Sequence, residues 1–356
     1  QLKSQEVRVL FHGDGDSLRG VGHLVRTLGL ALELNGSHLK NSAKIKSYFV
    51  TSNLEAQKRV QSQLESVFKK LSENDEDFKF DSAIESIHHK TDLPVSWEKI
   101  IDPTAEFLSQ TIREKEISVL VSDSQYPWTK SQIQNFGCPV VLIDNVPAIR
   151  SGAAKIILAA DHVPDNPDWK GLPVYTGTQW TWMHPMVRVL SQKPKPKSEY
   201  DAVITMGGAD PDHNTIQVMR TLMGFDLPLK AAVMVGPAFA HASEIEALTK
   251  LPSKIIWTIL SSQNHLHETL LKAKTAICAF GITTGECYAL RVPILLVLHH
   301  TQDPEEAKTL LERHPTFGKI IDPLDFKPSD LELREPTPPK NLGQLAENLR
   351  KMLSEF

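Results

Sequence analysis

A histidine stands in a glycine-rich turn near the start of the sequence. Gly20 and Gly22 precede His23, after an apolar run at 7–11 and before an amphipathic stretch, so strand, turn and helix are predicted in that order. Glycines let the backbone approach a ligand, and free N–H groups at a helix start attract phosphate. His23 at this turn can act as a general base near neutral pH, although a glycine pair alone favours a histidine that only caps or packs the helix. A dinucleotide fingerprint would need glycine where Val25 stands.

A second glycine turn follows the apolar run at 202–206. Gly207 and Gly208 precede Asp210, and a helix is predicted to start near Asn214. The two glycines would admit a diphosphate, while Asp210 would fix the turn through its own backbone. Taken alone, this pattern fits an ordinary strand-to-helix loop just as well.

A third turn contains Gly281, Thr283, Thr284 and Glu286. The threonines suit a helix N-terminus that offers hydroxyl and N–H groups to an anion. Glu286 would either compensate the helix dipole or accept hydrogen bonds from both hydroxyls of a ribose. Three such turns in one chain favour an anionic, phosphate-bearing ligand.

Other polar residues give weaker indications. Several follow predicted strands or lie in polar stretches, where capping, turn or solvated roles are the default: His88, His89, Asp123, Asp144, Asn145, His299 and His300. The three cysteines show no CxxC spacing, which favours a reducing compartment over a disulfide framework or a zinc site. No metal and no cofactor are predicted.

Short β-rich runs alternate with longer amphipathic segments, which predicts an α/β protein with parallel sheets. Strands are predicted at 7–11, 46–50, 119–122, 140–143, 202–206, 231–236, 254–259, 275–278 and 293–298. Helices are predicted at 23–34, 55–71, 103–115 and 341–356. The last of these is predicted to pack on either domain.

The sequence predicts two domains. A chain of 356 residues exceeds one ordinary core, and SQKPKPKSE at 191–199 is typical of an extended, solvated connector. We therefore predict an N-terminal Rossmann-like domain at 1–190, a C-terminal nucleotide-binding domain at 200–335, and a final helix at 341–356. Ligands of open parallel sheets bind at the carboxyl ends of strands, which here would face a central cleft.

Composition narrows the classes of partner. A formal net charge of −4 gives no overall basic field for nucleic acid, and the longest apolar stretch is far too short for stable membrane insertion. With no recognisable signal peptide, a cytoplasmic location is expected. The oligomeric state is not indicated.

Four segments resemble one family. GVGHLVR (20–26), preceded by Asp14, resembles the GxGHxxR signature of the nucleotide-sugar hydrolases of pseudaminic acid biosynthesis and of related spore-coat polysaccharide proteins. MGGADPDHNT (206–215) is similar to the family's FGGSDPxNxT. AFGITTGECYALRVPILLV (279–297) is similar to SGGSTTWELAxLGVPxLLV, and HTQD (300–303) falls where the family has an NQ motif.

The resemblance implies a GT-B architecture, two Rossmann-like domains with the nucleotide on the second. It places His23 and Asp14 among the catalytic residues, with Gly20 and Gly22 shaping their turn. It also implies a site for a UDP-sugar formed by residues at the later turns, namely Gly207, Gly208, Asp210, Gly281, Thr283, Thr284, Glu286 and Gln302. The implied reaction is inverting, metal-independent hydrolysis at the anomeric C–O bond, with His23 activating water.

Several positions depart from the family pattern. His12 stands where an arginine is usual, the first loop reads GDGDSLR, and Thr301 replaces the asparagine of the NQ pair. These changes fall on the sugar side of the predicted site. A GT-B glycosyltransferase, in which His23 deprotonates an acceptor hydroxyl, is therefore a second hypothesis. A non-catalytic nucleotide-sugar-binding protein is a third, and a sugar-nucleotide 2-epimerase is a fourth.

Overall fold

The chain forms two lobes, each built on one parallel sheet. The computed structural model describes residues 6–14, 22–40, 43–74, 82–88, 103–124, 126, 128–144, 152–159, 167, 170–236, 238–300 and 302–356.

The first lobe contains a seven-stranded sheet in the order β3-β2-β1-β4-β5-β6-β7. Its strands are β1 (Glu6–Gly13), β2 (Lys44–Thr51), β3 (Glu85–His88), β4 (Val119–Asp123), β5 (Val140–Ile143), β6 (Lys155–Ile157) and β7 (Val174–Tyr175). All neighbouring pairs are parallel. Consequently every strand of this lobe delivers its carboxyl end to the same edge of the sheet.

The second lobe repeats this plan with six strands in the order β10-β9-β8-β11-β12-β13. They are β8 (Tyr200–Thr205), β9 (Leu229–Val235), β10 (Ile255–Ser261), β11 (Ala273–Ala279), β12 (Ile294–Val297) and β13 (Gly318–Ile320). These pairs are parallel as well.

Helices connect the strands and cover both faces of each sheet. They are α1 (Gly22–Leu34), α2 (Leu54–Asn74), α3 (Pro103–Glu114), α4 (Lys130–Asn135), α5 (Pro185–Ser191), α6 (Asn214–Met223), α7 (Ala242–Thr249), α8 (Ser262–Leu271), α9 (Ile282–Ala289), α10 (Pro304–Arg313) and α11 (Leu345–Leu353). Among the described residues, no helix is both long enough and apolar enough to cross a lipid bilayer.

Because both faces of a sheet are covered, its strands are nearly continuous apolar runs. In β1, Val9 and Phe11 face α1 and α2, while Leu10 points to the opposite side with α3. The second sheet divides its strands in the same way, with Val203 on one face and Ile204 on the other. The alternation of core positions explains why apolar runs located these strands in the sequence.

Two helices pack away from the lobe that precedes them in the chain. Val187 and Leu190 of α5 belong to the core of the second lobe. Leu345 and Leu349 of α11, at the other end of the chain, belong to the core of the first lobe. The chain therefore crosses between the lobes twice, once in each direction.

The two-lobe α/β prediction is confirmed, and all nine predicted strands are present. The four strands that sequence reasoning missed, β3, β6, β7 and β13, have two to four residues each. Each of these strands contains only one or two apolar or aromatic residues, too few to be recognised from periodicity, whereas the equally short β5 and β12 are wholly apolar. The predicted domain boundaries stay a prediction.

Candidate functional site

His23 pairs with a buried carboxylate from a neighbouring strand. Its Nδ1 lies 2.6 Å from Oδ1 of Asp123, which is completely buried, whereas the histidine side chain keeps 30% exposure. Asp123 is the last residue of β4, directly beside Gly13 at the end of β1. The order of strands thus brings together two residues that are 100 positions apart in the sequence.

The second turn of α1 supplies further partners for Asp123. Arg26 donates from Nε to Oδ2 at 2.7 Å and from a terminal nitrogen to Oδ1 at 2.8 Å. Thr27 donates from Oγ1 to Oδ2 at 3.1 Å. Positions 23, 26 and 27 share one helix face because they are three and four residues apart, so one buried carboxylate orients them all.

Electrostatics keep this carboxylate ionised. Burial alone would raise the pKa of Asp123, but the adjacent Arg26 charge, together with His23, holds it well below its ordinary value. The same pairing raises the pKa of Arg26 despite its burial, with Asp144 contributing as a second anion. An ionised carboxylate only accepts hydrogen bonds, so Nδ1 of His23 donates to it, and in the neutral imidazole the lone pair is on Nε2.

His23 opens onto a cavity of about 540 Å³ between the lobes. The first lobe contributes Gly22, His23, Arg26, Asp144, Ala159, Thr178, Thr181 and Trp182 to its wall. The second lobe contributes Phe280, Gly281, Ile282, Thr284, Gly285, Tyr288, Gln302, Asp303, Glu306, Leu310, His314 and Phe317, and Leu342 also lines it. This is the size of cavity that holds a small organic ligand or cofactor.

The N-termini of two helices meet across this cavity. A Cβ on Gly22, the first residue of α1, would lie 3.3 Å from Cδ1 of Ile282, the first residue of α9. A side chain at position 22 would therefore require Ile282 to shift by a few tenths of an ångström, so glycine favours the close approach of the two turns. An anion between them would be near the positive ends of both helices.

Side chains fix the turn at the start of α9. The N–H of Gly281 donates to Oγ1 of buried Thr284 at 3.1 Å. Gln302 donates from Nε2 to the carbonyl of Phe280 at 2.6 Å, and its Oε1 accepts from the N–H of His299 at 2.9 Å. The cavity-lining residues Gly281, Thr284 and Gln302 therefore form one connected unit.

Carboxylates line another part of the cavity. Asp144 pairs with Arg26 at 2.6 Å, and Asp303 and Glu306 face the cavity from the start of α10. Burial, then the charges of Asp303 and Asp144, raises the pKa of Glu306. Like charges thus approach each other across the cleft.

The turn after β8 is occupied by its own carboxylate. Asp210 accepts from the N–H of Asn214 at 2.9 Å and from the N–H of Thr215 at 2.8 Å. Gly207 has a φ of 81°, which favours glycine. The pair Gly207–Gly208 packs against Gly236, where any Cβ would lie 2.4 Å from the Gly208 carbonyl oxygen. Gly207, Gly208 and Asp210 do not line the cavity, and a Cβ on Gly207 or Gly208 would meet no atom within 4 Å, so their role at a nucleotide stays a prediction.

Two other predicted residues lie outside the cavity lining. Glu286 is buried, and its Oε1 lies 3.1 Å from Nε2 of His267. Thr283 is partly buried on the same helix. The ring of His267 packs on His184, whose own pKa is held low by burial and by the charges of His267 and Arg188.

Asp14 is buried in a separate hydrogen-bond network of the first lobe. Its Oδ1 accepts from Oγ1 of Thr51 at 2.9 Å and from N and Oγ of Ser52 at 2.8 Å, while its Oδ2 lies 3.3 Å from Nε2 of His12. Burial would raise the pKa of Asp14, but its contacts with His12 and Ser52 outweigh this and lower it. His12 is itself stacked near Trp128. The carboxylate that contacts His23 is Asp123 and not Asp14.

The structure thus brings His23, Gly22, Gly281, Thr284 and Gln302 to one cavity. Gly20, Asn145, His89 and Thr301 lie outside the described residues. Sequence reasoning undervalued Asp123 and Asp144, and the available signal was an aspartate at or just after the end of a buried strand. Within the described ranges, no group of three or more His, Cys, Asp or Glu side chains has the arrangement to hold a metal ion.

The same fold occurs in solved structures of low sequence identity. MurG of Acinetobacter baumannii is 14% identical and matches with a TM-score of 0.56 over 99% of this chain and 93% of its own. A putative UDP-N-acetylglucosamine 2-epimerase of Listeria monocytogenes is 12% identical, with a TM-score of 0.57 over 99% and 98%. The UDP-GlcNAc 2-epimerase of Methanocaldococcus jannaschii, in complex with UDP-GlcNAc and UDP, is 10% identical, with a TM-score of 0.55 over 99% and 100%.

These matches define the architecture as GT-B, as the sequence resemblance implied. No protein-family model matches the chain, and no curated protein matches its sequence. At these identities the comparisons establish the fold, and function has to be argued from the cavity.

Proposed function

We propose that this protein cleaves the anomeric C–O bond of a UDP-linked sugar. His23 is the base that activates the nucleophile, which is water in hydrolysis or an acceptor hydroxyl in glycosyl transfer. The observation that carries this proposal is the 2.6 Å contact between His23 and ionised Asp123 on the wall of the inter-lobe cavity. A histidine oriented by a buried carboxylate is an effective general base near neutral pH.

The cavity offers a counterpart for the leaving group. Negative charge grows on the diphosphate as the C–O bond breaks, and preorganised N–H groups at the start of α9 would stabilise it. The hydrogen bonds of Thr284 to the N–H of Gly281 and of Gln302 to the carbonyl of Phe280 fix that turn in the absence of a ligand. Attack by a nucleophile on the side opposite the leaving diphosphate inverts the anomeric carbon.

The nucleophile can be either water or an acceptor hydroxyl. Hydrolysis is the reaction that the sequence resemblance implies, and it stays the first hypothesis. Glycosyl transfer is the second, because it needs the same base and the same leaving group. Measuring UDP release from a UDP-sugar without any acceptor separates them, since release without acceptor supports hydrolysis and acceptor-dependent release supports transfer.

Support for uridine as the base comes from similar structures rather than from a contact in this chain. The Methanocaldococcus protein is described with UDP-GlcNAc and UDP, and a structure from Phytolacca americana with UDP-2-fluoro-glucose. Calorimetric titration with UDP, CDP and GDP tests this choice, and equal affinity for the three would contradict it. Formation of an epimeric UDP-sugar without UDP release would instead favour the 2-epimerase hypothesis.

A histidine variant tests the proposed base directly. We expect His23→Gln to lower kcat by about 10²–10⁴ while the dissociation constant for UDP changes less than about twofold. His265→Gln is the matched control, since His265 is exposed on α8 and does not line the cavity. A His23→Gln enzyme with nearly normal kcat would remove His23 from the mechanism. Tight UDP binding with no turnover of any UDP-sugar by the wild type would favour a non-catalytic binding protein.

A further inference from the structure

One of the four sheet edges differs from the other three. The edges end in β3, β7, β10 and β13, of which β3, β7 and β13 have four, two and three residues. Strand β10 has seven residues. Proteins usually keep edge strands short, charged or interrupted by proline, because unpaired N–H and C=O groups bind other strands.

The sequence of β10 carries none of these protective features. It reads IIWTILS over Ile255–Ser261, without a charge or a proline. Ile256 is 63% exposed, and Trp257, Ile259 and Leu260 are only partly buried. Among the described residues, β9 is the sole strand paired with β10, so its outer side is unpaired. The edge therefore combines length, apolar character and exposure.

Apolar exposure extends beyond the strand at its amino end. Leu251 lies in the turn leading into β10 and is 52% exposed. Leu227 is 41% exposed and lies two residues before Leu229, the first residue of β9, which pairs with Ile255 of β10. The indole Nε1 of Trp257 is also buried without an acceptor in the described part of the chain.

We propose that β10 pairs antiparallel with β10 of a second copy of this chain, so that two six-stranded sheets join into one. An antiparallel register centred on Thr258 is self-complementary. It sets Ile256 opposite Leu260 of the second copy on one face, and Trp257 opposite Ile259 on the other. Apolar and aromatic cross-strand pairs of this kind stabilise sheets.

Charge supports a second copy as the occupant. Lys254 is the nearest charged residue to the strand in the sequence, and the same register places it opposite Ser262 of the second copy. Like charges directly opposite each other would destabilise the pairing, and this register avoids them. A two-fold axis through the strand also gives a closed dimer instead of an open filament.

Sedimentation velocity over a dilution series tests the proposal on the full chain. We expect a dimer for the wild type, and an approximately hundredfold or greater rise in its dissociation constant for Ile256→Lys, because each dimer loses two buried isoleucines. Leu324→Lys is the matched control, since Leu324 is 65% exposed and lies outside the strand. It should sediment like the wild type. Circular dichroism confirms that each variant is folded.

A cross-link provides a second measurement. Thr258→Cys would place two thiols on the symmetry axis, with Cα atoms about 4.5–5.5 Å apart, which is within disulfide range. Mild oxidation should then give a covalent dimer that neither the wild type nor Leu324→Cys forms. A monomeric wild type at every concentration overturns the proposal. So does a dimer that survives Ile256→Lys and forms no cross-link at position 258, because its interface lies elsewhere.

Discussion

Replacing Asp123 by asparagine separates the orienting role of its carboxylate from its role in packing. The amide is nearly the same size, but its NH2 group can donate to Nδ1 of His23. The imidazole proton then moves to Nε2, which no longer has a basic lone pair facing the cavity. The Asp123→Asn variant would therefore keep the shape of the site while reversing the proton position on its histidine.

The expected magnitudes follow from the contacts. Loss of an oriented general base lowers kcat by about 10²–10⁴. Removing one partner of a buried ion pair costs about 3–5 kcal/mol of unfolding free energy. We expect the lower end of that range, because Arg26 keeps its 2.6 Å contact with Asp144.

A partly buried ion pair provides the control. Glu33 on α1 accepts two hydrogen bonds from Arg188 on α5, at 2.5 and 2.6 Å, and neither residue lines the cavity. Glu33→Gln should lose less unfolding free energy than Asp123→Asn, because this ion pair is only partly buried, and its kcat should stay within about twofold of the wild type, because the pairing of His23 with Asp123 is intact. Urea unfolding and UDP release measured on both variants give the comparison.

Acid pH gives an independent check with a definite sign. The pKa of Asp123 in the folded protein is below its ordinary value of 3.8, so its stabilisation is complete above that pH and is lost as the pH falls further. The difference in stability between wild type and Asp123→Asn should therefore be constant near neutrality and shrink in strong acid. A folded Asp123→Asn enzyme with kcat within about tenfold of the wild type at neutral pH would refute the assignment of Asp123 as the residue that orients His23.

Three further changes probe the cavity wall. Gln302→Leu removes the hydrogen bond to the carbonyl of Phe280 and should weaken UDP binding about tenfold, as measured by calorimetry. Unchanged affinity would show that this hydrogen bond is not needed to hold the turn. Glu306→Gln should raise Tm at pH 7 but not below pH 4.5. The pKa of Glu306 is raised in the folded protein, so ionisation of this carboxyl opposes folding. An equal change in Tm at both pH values would contradict this. Gly29→Ala would place a Cβ 2.5 Å from Cζ2 of Trp182, and should lower the unfolding free energy by about 1–3 kcal/mol in urea titration; a stabilised variant would contradict it.

Local sequence was sufficient for nine of the strands in the two sheets and for the first helix. Residues buried on both faces form unbroken apolar runs, and α1 was predicted at 23–34 and runs from Gly22 to Leu34. The turn that carries His23 was found because glycine and histidine adjoin a strand. These features depend on neighbours within a few positions.

The partner of His23 depended on strand order, which short segments do not encode. Asp123 reaches the histidine only because β4 lies next to β1. Asp14, nearer in sequence, turns instead to Thr51 and Ser52 at the end of β2. Gly207 and Gly208 lie outside the cavity lining, so the glycine pattern alone did not locate the cavity, and their contact with a nucleotide stays a prediction.

Helix α11 also limits when the first lobe can complete its folding during synthesis. Leu345, Leu349 and Leu353 complete the apolar core of the first lobe, although they are the last part of it to leave the ribosome. The amino-terminal half must wait, with that surface uncovered, until the other half has been translated. An expressed fragment ending near residue 190 would keep His23 and Asp123 but expose the apolar surface that α11 covers. It should aggregate unless a peptide with the sequence of α11 is supplied.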